Sequence, residues 1–125
     1  MSSAEMAPWM AREMSRVIED PSGTLLALDF DGTLAHIVDD PAQAFGHAHA
    51  MDAVARLGPL LGHVAIVTGR PVQKLLELSG FRGRSGLERL IVCGQYGAER
   101  WTADDGPPPA SVALAPVQEV LSILP

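Results

Sequence analysis

The chain has 125 residues, 47% of them hydrophobic and only 5% aromatic, and a formal net charge of −6. That length holds one domain, whose core must be built mainly from Leu, Val, Ile, Ala and Met. The acidic balance, with Lys74 the sole lysine and no basic cluster, argues against a nucleic-acid partner. Cys93 is the only cysteine, so no internal disulfide framework is possible, as expected for a reducing compartment. Residues 1–10 lack a basic region followed by an apolar core, and no run approaches membrane-spanning length. A cytoplasmic location with no membrane partner is therefore expected.

In chain order, residues 4–20 read as a helix: Met6, Trp9, Met10, Met14, Val17 and Ile18 recur at spacings of three and four, and Pro8 must sit near its first turn. A Met-rich stripe of this kind is expected to pack against a core or lid. Asp20-Pro21-Ser22-Gly23 turns the chain into Leu25-Leu26-Ala27-Leu28, an unbroken apolar run of the kind found in parallel strands buried on both faces. The run ends in Asp29-Phe30-Asp31-Gly32-Thr33. Alternate residues of extended chain point the same way, so Asp29 and Asp31 can share a crevice beyond the strand while Phe30 returns to the core. Two such carboxylates are costly unless hydrated, paired or bound to a cation. Gly32 permits the positive φ that a sharp turn needs. The bland alternative is an Asp-rich hydrogen-bonded turn.

Residues 34–46 form a long connection through Asp39-Asp40-Pro41, read as a solvated acidic loop or as a flap beside the crevice. A helix is expected over residues 48–61. His47 and His49, two apart, fall on different faces of a helix, which excludes a helical metal pair. His63-Val64-Ala65-Ile66-Val67 is a second strand, followed by Thr68-Gly69-Arg70-Pro71 and a helix over residues 72–78. A strand running straight into a helix leaves backbone N–H groups as an anion cradle, to which the Thr68 hydroxyl and Arg70 charge can add. Residues 79–86, with Arg82 and Arg84, read as a solvated loop. Leu90-Ile91-Val92-Cys93 is a third strand, and Gly94-Gln95-Tyr96-Gly97-Ala98-Glu99 reaches the same crevice from its end. Residues 102–110 have the composition of an exposed Pro-rich linker, and residues 115–124 that of a helix. Strands alternating with helices imply an α/β fold with a parallel sheet, ligands lying at the carboxyl ends of its strands.

Asp29-Phe30-Asp31-Gly32-Thr33-Leu34 after an apolar strand, with Thr68-Gly69-Arg70-Pro71 about forty residues on, resembles the first two motifs of the haloacid dehalogenase-like phosphatases. Together with Ile37-Val38-Asp39-Asp40-Pro41 and Gly94-Gln95-Tyr96-Gly97-Ala98-Glu99, residues 25–101 are similar to the amino-terminal portion of the trehalose-phosphate phosphatases. The resemblance implies a three-layer, Rossmann-like parallel sheet with flanking helices. It implies hydrolysis of trehalose 6-phosphate to trehalose and phosphate through an aspartyl-phosphate. Asp29 would be the nucleophile and Asp31 the acid and base. Mg²⁺ would be held by the Asp29 carboxylate and the Asp31 backbone carbonyl. Gly32, Thr33, Thr68, Gly69, Arg70, Tyr96 and Glu99 would bind phosphate or sugar.

Family members also carry a mobile cap domain, a later lysine that neutralises the phosphoryl group and an acidic pair that completes the metal site. Lys74, just after the second motif, is not at that lysine's place, and Asp104-Asp105 lies in the Pro-rich stretch. The expected organisation is an incomplete core domain without its cap. Residues 1–20 would be a leading helix, 24–101 the motif-bearing part and 102–125 a linker and helix. Weak or no activity is expected of these 125 residues alone, as is self-association through an unpaired sheet edge. The alternatives are a non-catalytic, phosphatase-like binding module and a phosphatase for another sugar phosphate, such as sucrose phosphate.

Overall fold

In a computed structural model, residues 5–110 and 122–123 are described. Helix α1 (Pro8–Glu19) leads into strand β1 (Leu25–Leu28), helix α2 (Ala48–Leu57), β2 (His63–Val67), α3 (Val72–Ser79), β3 (Leu90–Gly94) and β4 (Glu99–Thr102). The helix expected over residues 115–124 lies outside the described residues apart from 122–123.

The strands form one sheet in the order β1-β2-β3-β4. β1, β2 and β3 are parallel, with Leu28 opposite Ile66 and Val67 opposite Cys93, so their carboxyl ends reach one edge in near-register. β4 then returns antiparallel to β3, placing Gly94 opposite Glu99. The sheet is therefore mixed, where a parallel one was expected. The fourth strand is short, its apolar content is the single buried Trp101, and the reading of local pattern ended at the glycine-bracketed loop before it.

The core is aliphatic, as the composition required: Ile66, Leu75, Leu90 and Val92 pack with the rings of Phe30 and Phe81. β2 buries its three central residues. α3 turns Val72, Leu75, Leu76 and Leu78 inward and stops at Gly80, whose φ of 68° supplies the left-handed residue that ends many helices.

Two sequence expectations fail here. β1 is not buried on both faces: Leu25 and Ala27, on one face, are exposed, while Leu26 and Leu28, on the other, are half-buried against the core. The stripe of α1 is also uncovered. None of its residues is buried, and Trp9, Met14 and Ile18 are exposed, although half-buried Val17 does touch the core.

Phe30 is fully buried, so replacing it by Ala is expected to destabilise the fold by about 3–5 kcal/mol, the usual cost of removing a buried aromatic ring. Denaturant unfolding measures this, and a loss below about 1 kcal/mol would show that Phe30 does not anchor the core.

Candidate active site

The loop after β1 is built around one backbone oxygen. The Phe30 carbonyl accepts hydrogen bonds from the N–H groups of Thr33, Leu34 and Ala35, at 3.2, 2.8 and 3.1 Å. Gly32, at φ 80°, closes the turn by donating its N–H to the Ala35 carbonyl at 2.8 Å. The buried Phe30 ring thus fixes a tight loop with one carboxylate on either side of it. Asp29 is exposed, and its Oδ1 accepts the Phe30 N–H at 2.7 Å.

Asp31 faces Arg70. The guanidinium engages it with two hydrogen bonds, Nε to Oδ2 at 2.8 Å and Nη2 to Oδ1 at 2.6 Å. Arg–carboxylate pairs of this forked geometry are among the stronger ion pairs. The hydrogen bond from Arg70, with its charge, holds the Asp31 carboxyl below the ordinary carboxylate range, and Asp31 in turn raises the guanidinium.

The loops after β2 and β3 are laced together. The buried Thr68 accepts the Arg70 N–H at Oγ1, at 3.1 Å. The Arg70 carbonyl accepts the Gln95 N–H at 2.9 Å, and the Thr68 carbonyl accepts the Tyr96 N–H at 3.1 Å. Gln95 and Tyr96 both adopt positive φ, 47° and 57°. For residues that carry side chains this costs on the order of 1–3 kcal/mol each and is characteristic of functional turns.

The candidate residues therefore divide. Asp29, Thr68, Gly69 and Tyr96 line one open cleft of about 420 Å³, together with Ala27, Leu28 and Val67. Gly32 and Thr33 line a neighbouring cleft of about 410 Å³ with His36, Ile37 and His47. His47 also caps α2, its Nδ1 accepting the His49 N–H at 3.3 Å, and its ring meets those of His36 and His49 edge-on.

Glu99 turns to α3, where its Oε1 accepts the Val72 N–H at 3.0 Å. This partly closes the expected anion cradle: Pro71 has no N–H, Arg70 donates its own to Thr68, and Val72 is capped by Glu99. A carboxylate at a helix N-terminus is itself stabilising, which gives Glu99 a structural task that local pattern in the sequence did not show. Lys74 lies 3.6 Å from Glu77 on α3. Asp105 accepts the Thr102 N–H at 2.8 Å in a capping box and so closes the turn after β4.

For a divalent cation, Asp29 offers oxygen donors on an exposed side chain, the chemistry that Mg²⁺ takes, often through one or two carboxylates with water and substrate phosphate. Asp29 fits that group. The Asp31 carboxylate does not in this arrangement, since both its oxygens accept from Arg70. Among the described residues no cluster of three His, Cys, Asp or Glu side chains is placed to hold a metal, and no helix is long and apolar enough to cross a membrane.

The fold is a three-layer type of α/β architecture, a parallel-dominated sheet with flanking helices. It matches the C-terminal domain of trehalose-6-phosphate phosphatase from C. albicans with a TM-score of 0.64 at 20% identity, over 90% of this chain and 38% of that one. In sequence, the similarity is to trehalose-phosphate phosphatases in particular. The chain is 35% identical over 106 residues to probable trehalose-phosphate phosphatase J of Arabidopsis thaliana, and 41% identical over 78 residues to the trehalose-phosphate phosphatase of Mycobacterium ulcerans. These matches cover 78% and 62% of this chain but only 27% and 18% of the relatives. The chain is thus similar to a portion of those proteins. No family model matches it.

The Asp31–Arg70 pair has a pH signature. Because the folded carboxyl titrates below its unfolded value of about 3.9, the stability it adds is present above that value and is lost as pH falls through the lower folded one. Asp31→Asn is expected to lower the melting temperature at pH 7, with the gap to wild type closing as pH falls below the unfolded carboxylate range. A gap that is constant across the range would show that the pair contributes nothing.

Proposed function

We propose that this chain is part of a Mg²⁺-dependent sugar-phosphate phosphatase, with trehalose 6-phosphate as substrate and trehalose and phosphate as products. The carrying observation is the meeting, at one sheet edge, of Asp29 and Asp31 with the Thr68–Arg70 loop, in a chain similar to part of the trehalose-phosphate phosphatases.

In this reading an Asp29 carboxylate oxygen attacks phosphorus and the phosphorus–sugar oxygen bond breaks. Asp31 gives its proton to the leaving sugar oxygen. It then takes a proton from the water that attacks the aspartyl-phosphate, which releases phosphate and restores Asp29. Mg²⁺, held by Asp29, would supply positive charge toward the phosphoryl oxygens in this acidic chain. Thr68 has a hydroxyl hydrogen to donate, since its bond with Arg70 uses the oxygen as acceptor. In the arrangement described, Asp31 is ionised and held by Arg70, so a proton reaches it only when that fork opens. An incoming phosphoryl dianion is a competing partner for the guanidinium and favours the opening. The reading extends to a cytoplasmic protein with a small sugar phosphate as its partner. It also extends to self-association through the side of β1 that has no neighbour among the described residues, which is expected to give a mass above that of the monomer in light scattering.

The same fork favours a second reading, a phosphatase-like module that binds without turnover. Phosphate release from trehalose 6-phosphate with Mg²⁺ separates them. Asp29→Asn is expected to lower the rate at least about 10²–10³-fold. Equal rates in the two proteins would remove Asp29 as nucleophile, and binding without release from the wild type would favour the module.

A further inference from the structure

Tyr96 lies at the Asp29 cleft with 93% of its surface exposed. A tyrosine left in solvent by chance needs no special backbone, yet this one is carried on a turn of two consecutive left-handed residues. The turn is pinned from below, with Gln95 bonded to the Arg70 carbonyl and Tyr96 to the Thr68 carbonyl. The ring in turn has a seat. A Cβ placed on Gly69 would fall 2.5 Å from Tyr96 Cζ and 2.7 Å from Oη, so the hydroxyl end of the ring lies over the bare glycine and a side chain there would push the exposed ring aside. Beside it, Ala27, Leu28 and the half-exposed Val67 form an apolar wall, with Asp29 in the same cleft.

We propose that Tyr96, seated on Gly69, is a platform for the pyranose ring of a phosphorylated sugar, and so a specificity-determining residue of the cleft. The chemistry matches on three counts. One face of a pyranose is a patch of C–H groups, which the electron-rich face of a phenol attracts. Its hydroxyl rim suits Tyr96 Oη, a donor and an acceptor. A cleft of about 420 Å³ has room for such a ring alongside a phosphate directed at Asp29. The platform rests on the phosphatase reading for where the phosphate goes, and adds to it the seat of the sugar. It gives Gly69 a task distinct from phosphate binding: its missing side chain sets the height of the ring.

The test uses the whole chain with Asp29→Asn, which prevents turnover, and follows the Tyr96 ring and Gly69 amide by NMR. Trehalose 6-phosphate and inorganic phosphate are added separately. Saturable shifts at Tyr96 with the sugar ester, absent with inorganic phosphate, are expected. Adding Tyr96→Ala should weaken the sugar ester roughly three- to tenfold, the range of a single aromatic contact, and leave inorganic phosphate within about twofold. Tyr96→Phe should keep most of the affinity. Gly69→Ala should behave as Tyr96→Ala, by displacing the ring. A Tyr96 ring unmoved by the sugar ester overturns the platform, as does equal weakening of both ligands by Tyr96→Ala. Tyr96 shifts in a protein whose wild type releases no phosphate would remove the enzymatic reading and leave the platform standing.

Discussion

Arg70 is the residue on which the candidate site hangs. Its guanidinium grips Asp31 beyond β1, its N–H donates to Thr68 at the end of β2, and its carbonyl receives Gln95 beyond β3. Three strand ends that the sheet merely brings near one another become a single assembly through that residue. Lysine in its place would keep the charge and lose the fork, since an ammonium cannot present two parallel N–H groups to one carboxylate. The fork also explains how a chain with a net charge of −6 tolerates two nearby carboxylates in the loop after β1. One is neutralised within the protein, and the other is exposed to solvent.

Phe30 supplies the complementary constraint. A carboxylate loop would be mobile if it had only solvent to hold it. Here the residue between the two aspartates is fully buried, and its carbonyl gathers three N–H groups of the turn. The core therefore fixes the turn from below, and Arg70 holds one of its two carboxylates. Asp29-Phe30-Asp31 divides its labour in the turn that follows β1: Asp29 meets solvent, Asp31 meets Arg70, and Phe30 joins the core with Ile66 and its neighbours.

That division, the positive φ at Gly32 and the strand-to-helix step at Thr68-Gly69-Arg70-Pro71 are local properties, and they were legible from residue types and spacing. So were three of the four strands and the aliphatic core. What escaped was non-local. Asp31 and Arg70 are 39 residues apart, and nothing in either segment names the other as its partner. Glu99 follows a glycine-bracketed turn that invites a ligand-binding reading, and its carboxylate accepts the N–H at the start of α3, 27 residues earlier. β1 has the composition of an interior strand yet has one strand neighbour among the described residues, because composition reports how apolar a strand is and not how many neighbours it has. β4 was missed because its strand character comes from pairing with β3 and from one tryptophan.

The position of β1 bears on how the molecule assembles. β3 and β4 close across a few residues, whereas β1 must find β2 across the whole of α2 and the loop before it. Loop-closure entropy favours the short hairpin early and the distant strand late. The segment carrying Asp29 and Asp31 is then among the last to dock and the first to lift away, so hydrogen exchange should be faster along β1 than along β3. The carboxylate-bearing turn would loosen under mild heat while the inner sheet still holds.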